Sequence, residues 1–277
     1  MKAIVIREYG DPDVLELREV PDPPFGPEDL LVRVRATALN RADLLERRGL
    51  YPPPPPRPEI EIPGLEFAGE VIAAGERVAG FAEGDRVMGI TAAGGYAEKI
   101  AINHRLVARV PDALDWREAA ALPEAFVTAA DALDQCGLVA GESLLVHAVG
   151  SGVGSAAVQV GRAWGATPIV GTARTPDKLE RARPLGLGVG IDASKQEFAE
   201  AVTEATGGRG ADVIVDFVGG AYLDANLQAL ATGGRLIVVG MLGGISAELN
   251  LAAMLAKRLR IIGTTLRARP LEEKARA

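Results

Sequence analysis

The chain has 277 residues and a formal net charge of −7, with 48% hydrophobic and 24% charged residues. That length exceeds the roughly 100–200 residues usual for one domain, so two domains are expected. The acidic balance argues against the basic footprint of a nucleic-acid-binding protein, the single cysteine, Cys136, excludes an internal disulfide framework, and no window approaches the ~20 apolar residues of a membrane helix.

The first residues, Met1-Lys2-Ala3-Ile4-Val5-Ile6, lack the apolar core and small-residue cleavage site of a signal peptide and read as a strand. The expectation is a soluble, cytoplasmic protein with no nucleic-acid or membrane partner. Short runs of branched apolar residues with Gly, Pro or Asp beside them predict strands at 3–7, 30–36, 70–73 and 85–89. Their spacing suggests a compact, barrel-like β domain. A helix is predicted over 41–48, with Leu44 and Leu45 as its apolar stripe. The prolines at 52–56 lack amide donors and have fixed φ, so the run is read as polyproline II in a surface loop.

The pattern changes near residue 115. Asp115 followed three residues later by Glu118 is a capping box. An Ala/Leu-rich helical stretch continues to about Gln135, interrupted at Pro123. From there strands and helices alternate, with strands predicted at 143–147, 168–172, 189–192, 212–217, 235–240 and 260–264. Parallel strands need a return path, usually a helix, so six strands joined in this way imply a doubly wound parallel sheet of Rossmann type. The fold class is α/β, with a β-rich domain over 1–123 and a dinucleotide-binding domain over 124–277.

The segment His147-Ala148-Val149-Gly150-Ser151-Gly152-Val153-Gly154 follows the first of these strands, and a helical pattern opens behind it. A pyrophosphate must approach the backbone closely, which side chains would block. The free amides at the helix start then bind the anion with the help of the helix dipole. Gly150, Ser151, Gly152, Val153 and Gly154 are therefore candidate cofactor contacts. The spacing is not a strict G-x-G-x-x-G, because Ser155 stands where the last Gly would be.

In an NAD binder an acid about 20 residues beyond the glycines holds the ribose 2′-hydroxyl. None is present at the end of the second strand. Thr172, Arg174, Thr175 and Lys178 surround that place instead. Hydroxyls and cations suit a 2′-phosphate and favour NADPH over NADH; the alternative is that Arg174 and Lys178 are a solvated pair at a helix start. His147 is read as a residue that caps or packs at the strand end.

Several further motifs occur in order: Ala38-Leu39-Asn40-Arg41-Ala42-Asp43, Ile62-Pro63-Gly64-Leu65-Glu66-Phe67-Ala68-Gly69-Glu70-Val71, Gly84-Asp85-Arg86-Val87, Gly94-Gly95-Tyr96-Ala97-Glu98, Ala121-Leu122-Pro123, Thr128-Ala129 and Asp216-Phe217-Val218-Gly219-Gly220. With the glycine turn, the set resembles the zinc-free medium-chain dehydrogenase/reductase superfamily, specifically its zeta-crystallin-like NADPH:quinone oxidoreductases. The resemblance implies a GroES-like catalytic domain joined to a Rossmann domain. It places Asn40, Asp43 and Tyr51 on the catalytic side, Asn40 as a polar partner of cofactor or substrate and Tyr51 as a donor to a substrate oxygen. Asp43 equally suits a cap or brace for the 41–48 helix. Thr128 resembles the position facing the nicotinamide. Gly219 belongs to the turn after the fourth strand, and Gly240, Met241 and Leu242 end the fifth. Thr264 and Leu266 resemble contacts to the nicotinamide amide. Arg267 is either near a phosphate or a surface charge.

No metal is expected. Catalytic zinc takes three protein ligands from Cys, His or carboxylate, and zinc-dependent relatives carry a Cys where Asn40 stands and a His where Leu65 stands. Without a Lewis acid, acceptors that take hydride readily are favoured, such as quinones or activated alkenes. Two departures stand out. Many relatives carry a Tyr beside the 2′-phosphate, where this chain has Ala193. Relatives also continue well past the sixth strand to complete the catalytic domain, so that completion is expected to be missing here. The leading expectation is an NADPH-dependent quinone reductase. The alternatives are an enoyl-thioester or alkenal reductase with Tyr51 as proton donor, and a non-catalytic NADPH-binding protein. The resemblance implies a homodimer through the sheet edge at the sixth strand, 260–264, and an apolar edge such as Ile261-Ile262 would need covering.

Overall fold

The computed structural model describes residues 1–56 and 58–277. They form two compact units, Met1–Glu124 with Leu266–Ala277, and Ala125–Thr265. Among the described residues no helix is long and apolar enough to cross a membrane.

In the first unit β1 (Lys2–Ile6) pairs antiparallel with β2 (Leu15–Glu19). β3 (Asp29–Ala36) is followed by helix α1 (Arg41–Arg47), then β4 (Glu66–Ala74), β5 (Arg86–Ile90), β6 (Lys99–Asn103) and β7 (Val107–Arg109). These make a five-stranded antiparallel sheet in the order β6-β3-β4-β5-β7. Alternation places Leu30, Val32, Phe67, Val71, Val87, Ile100 and Ile102 on its inner face, all buried. The expected β-rich domain is present. The expected polyproline II run is interrupted, because the Pro55–Pro56 bond is cis.

Helix α1 reverses the expected polarity. Leu44 is 47% exposed, while Asp43, Glu46 and Arg47 are buried. The charged face turns inward because each charge finds a partner there. Asp43 accepts from the Tyr96 hydroxyl, Glu46 pairs with Arg267, and Arg47 donates to the Gly10 carbonyl.

Helix α2 (Trp116–Ala120) starts at the predicted capping box, where Asp115 accepts from the Arg117 and Glu118 amides and Glu118 accepts in return from Asp115. The helical stretch breaks before Pro123, and α3 (Pro123–Gln135) begins with that proline, whose missing amide donor is harmless in a first turn.

In the second unit β8 (Leu144–Val146), α4 (Gly152–Ala163), β9 (Ile169–Ala173), α5 (Pro176–Ala182), β10 (Val189–Asp192), α6 (Phe198–Ala205), β11 (Ala211–Asp216), α7 (Leu223–Ala229), β12 (Leu230–Val238), α8 (Leu251–Lys257) and β13 (Arg260–Gly263) alternate. The six strands are parallel, in the order β10-β9-β8-β11-β12-β13. Counted within the unit this is 3-2-1-4-5-6, the order of dinucleotide-binding sheets. Successive residues of β8 feed opposite layers. Leu144 and Val146 join the core with α3 and α4, and Leu145 joins the core with α6 and α7. A sheet covered on both faces explains why these strands read as continuous apolar runs. β12 starts five residues earlier than expected, at Leu230. Thr232-Gly233-Gly234 resembles a turn, but the structure absorbs it as a register shift against β11 with Gly233 at φ +81°.

The expected second domain ran to Ala277. In the structure Leu266–Ala277, including α9 (Leu271–Arg276), belongs to the first unit. Arg267 is buried there, and Arg105 holds Glu272 through two hydrogen bonds of 2.6 and 2.8 Å.

Candidate active site

The dinucleotide edge of the second unit is built by the glycine turn. Ser151 caps α4, its hydroxyl accepting from the Gly154 amide at 3.0 Å. A Cβ on Gly154 would lie 2.3 Å from the Ala148 carbonyl oxygen, so no other residue fits there. Gly150 lies under the stem of Lys178, whose Cδ would be 2.6 Å from an added Cβ. The amides of Gly152 and Val153 have no acceptor among the described residues. Two free amides at the start of a twelve-residue helix suit a diphosphate, which needs donors and positive potential and no side chain in the way. Val149, Gly150, Ser155, Asp177, Lys178 and Arg181 line a small cavity of about 170 Å³ between α4 and α5.

At the end of β9, Arg174, Thr175 and Lys178 are exposed. Thr172 is not. It is buried, with its hydroxyl 2.9 Å from His147 Nδ1, because it points into the sheet rather than toward solvent. The residue expected beside a phosphate therefore contacts protein instead. Gly219 takes φ +78° and packs its Cα against the Gly240–Gly244 loop, where a Cβ would come within 3.0 Å of Met241 Cα. Met241 and Leu242 are each 57% exposed. Thr128 sits half-buried on α3. Thr264 is tied to the end of α3, accepting from Gln135 Nε2 at 2.8 Å.

In the first unit Asn40, Asp43 and Tyr51 come together with groups that sequence reasoning did not single out. Asn40 Nδ2 donates to Glu66 Oε1 at 2.7 Å, and the Glu124 amide donates to Glu66 Oε2 at 2.8 Å. Asp43 Oδ2 accepts from the Asn40 amide at 2.7 Å and from the Tyr96 hydroxyl at 2.6 Å. Asp43 thus caps and braces α1, one of the two roles open to it. Asn40 remains half-exposed. Its carboxamide is turned by the Glu66 carboxylate, which can only accept.

Arg267 corrects its expected place near a phosphate or on the surface. It is buried and pairs with Glu46 at 2.7 Å. It also donates to the Ala92 carbonyl at 2.7 Å and the Tyr51 carbonyl at 2.8 Å, and its guanidinium lies 5.0 Å from the Tyr51 ring centre. Each of its three nitrogens donates within the first unit. Leu266 beside it is half-buried.

Burial raises the carboxyl pKa values of this cluster. Glu46 is pushed up to about 7 by desolvation, against the opposing pull of Arg267. Desolvation also takes Glu124 to about 7, aided by the charges of Glu66 and Asp43. Asp43 and Glu66 move upward for the same reason. Asp43 Oδ1 and Glu46 Oε1 are buried without a hydrogen-bond partner. A signal for Glu66 was present in the sequence, as a lone acid beside the apolar start of β4. Glu46 and Glu124 carried none.

Cys136 is buried, and burial lifts its thiol to about 12, which removes it as a nucleophile. Among the described residues no group of three or more His, Cys, Asp or Glu is placed to hold a metal ion.

Comparison with known proteins matches residues 26–112 to the alcohol dehydrogenase GroES-like domain and residues 152–276 to the zinc-binding dehydrogenase family. Human quinone oxidoreductase is 35% identical over 277 residues, 99% of this chain and 82% of that protein. Component PikAII of the pikromycin polyketide synthase of Streptomyces venezuelae is 40% identical over 215 residues, and the chain spans 6% of its length. Among solved structures, the quinone oxidoreductase of Pseudomonas syringae is 33% identical with a TM-score of 0.85, covering 95% of this chain and 81% of that one. A mycobacterial protein solved in complex with NADPH is 30% identical with a TM-score of 0.86, covering 99% and 85%.

Proposed function

Because the chain belongs to the medium-chain dehydrogenase/reductase superfamily, in its quinone-oxidoreductase-like branch, we propose that it is an NADPH-dependent oxidoreductase acting on a quinone-type acceptor. The observation that carries the cofactor assignment is the end of β9, where Arg174 and Lys178 stand exposed and the strand runs Thr172-Ala173-Arg174-Thr175 with no acid at its end. The free amides of Gly152 and Val153 would hold the diphosphate, and Arg174 and Lys178 the 2′-phosphate. When bound, NADPH supplies a hydride. The chain supplies position and polarity. Asn40, fixed by Glu66, presents its free carboxamide edge to a substrate or ribose oxygen. Tyr51, packed against Arg267, is the candidate donor to a substrate oxygen.

NADPH oxidation with 9,10-phenanthrenequinone and with crotonyl-CoA tests the reading. Turnover of the quinone alone supports it, and turnover of crotonyl-CoA alone replaces it with the enoyl-thioester reading, which the polyketide synthase matches favour. Tight NADPH binding with neither turnover leaves the non-catalytic reading. Arg174→Ala combined with Lys178→Ala is expected to raise KM for NADPH by about tenfold or more and to spare NADH, since each charge-assisted hydrogen bond contributes roughly 1.5–3 kcal/mol. Equal weakening of both cofactors would remove the 2′-phosphate assignment.

The proposal includes a homodimer. β13 is an edge strand carrying exposed Ile261, and Ile245, Leu251 and Leu255 in the preceding segment are exposed. Light scattering should give twice the chain mass, falling to the monomer in Leu255→Glu with Ile261→Lys. A monomeric parent protein would overturn this part.

A further inference from the structure

The second unit contains a buried chain of polar side chains. His147 follows β8 and is fully buried. Its Nδ1 lies 2.9 Å from Thr172 Oγ1 and its Nε2 lies 2.7 Å from Asn226 Oδ1. Asn226 Nδ2 donates to Asp216 Oδ2 at 3.0 Å. Asp216 also accepts from the Val218 amide at 2.6 Å and from the Gly219 amide at 3.2 Å. The Ala148 amide points at Thr172 Oγ1 from 3.4 Å.

The donors and acceptors leave one consistent arrangement. Asp216 is met only by donors, so it accepts throughout. Asn226 spends its NH₂ on Asp216 and turns its carbonyl to His147. Nε2 of His147 therefore carries the proton, and Nδ1 accepts from the Thr172 hydroxyl. The ring is gripped edge-on by Phe198 and Tyr222, with centroids 4.7 and 4.9 Å away. The chain links the carboxyl ends of β8, β9 and β11, where a parallel sheet binds its ligand. One of them contains Ala148 at φ +49°, a left-handed conformation that persists only where its surroundings hold it.

We propose that His147 is a positioning residue for the dinucleotide: through Thr172 on one side and Asn226–Asp216 on the other, it locks the glycine turn and the Val218–Gly219 turn in the spacing that the cofactor requires. The inference rests on the dinucleotide reading given above. Thr172 then acts on the cofactor through His147 and not by contact. The positioning is of backbone, so its loss weakens cofactor binding while hydride transfer from bound cofactor continues.

The experiment is NADPH binding by fluorescence, with steady-state kinetics against 9,10-phenanthrenequinone, on the parent chain and on Thr172→Val, His147→Gln and His147→Leu. Val keeps the shape of Thr and removes only the hydroxyl. Gln keeps one donor and one acceptor in the place of the ring. Thr172→Val is expected to weaken NADPH binding and raise its KM about tenfold with kcat held. His147→Leu should lose more, and His147→Gln should recover part of it. If His147→Leu does not fold, the other two variants decide. Unchanged NADPH affinity in Thr172→Val and His147→Gln, or a loss of thermal stability alone, would overturn the proposal while leaving the cofactor assignment intact. Absence of NADPH binding in the parent chain would remove the functional reading itself, and this inference with it.

Discussion

His147, Asn226 and Asp216 in the second unit are buried as deeply as Glu46 and Glu66 in the first, yet the two sets are built differently. Around Asp216 every nearby group is a donor, and the network ends on backbone amides. In the first unit four carboxyls, Asp43, Glu46, Glu66 and Glu124, share a region in which Arg267 pairs with Glu46, and Asp43 Oδ1 and Glu46 Oε1 have no hydrogen-bond partner among the described residues. A satisfied network fixes geometry. An under-satisfied one stores its cost as raised pKa values. The polar network of the second unit is satisfied by donors, and the carboxyl cluster of the first is not.

The largest test of this contrast is Arg267→Ala. Removing one partner of a buried pair leaves the other charge uncompensated and costs about 3–5 kcal/mol. The midpoint of urea denaturation should drop accordingly, and Glu46→Gln in the same background should recover part of the loss. A variant as stable as the parent would show that the pair holds nothing.

A smaller and sharper test uses pH. Burial raises Glu46 and Glu124 to about 7. Their unfolded value is about 4.3, so the native state binds more protons between these limits. The first unit should lose stability as pH rises through that window, and Glu46→Gln should flatten the slope. His147 moves the other way. Burial lowers its pKa, so the unfolded chain takes the proton first. The second unit should lose stability as pH falls below about 6.5. Each unit holds one of the two tryptophans, Trp116 and Trp164. Trp164→Phe and Trp116→Phe chains would report the units separately, and parallel pH profiles from both would break the comparison.

The second unit was largely legible in the sequence because its signals are local. Apolar runs and the glycine turn each declare themselves within a few residues. The miss at β12 has the same origin, since Thr232-Gly233-Gly234 is locally a turn and only pairing with β11 makes it strand. β2 was overlooked because it is mostly exposed and carries little apolar alternation. The candidate site of the first unit was half legible. Asn40, Asp43 and Tyr51 came from motif resemblance, but what holds them did not. Glu66 lies 26 residues from Asn40, and Tyr96 lies 53 from Asp43. A helix with Leu44 outside and Glu46 inside cannot be inferred from periodicity when the compensating cation is Arg267.

That cation also imposes an order in time. Glu46 and Arg267 are 221 residues apart. At roughly 5–20 residues per second of synthesis, Glu46 waits roughly 10–40 s for its partner to be made. During that interval the sheet of the first unit can pair, but α1 has no counter-charge for the face it will bury. The unit translated first thus needs Leu266–Ala277, made after the second unit, to give Glu46 its counter-charge.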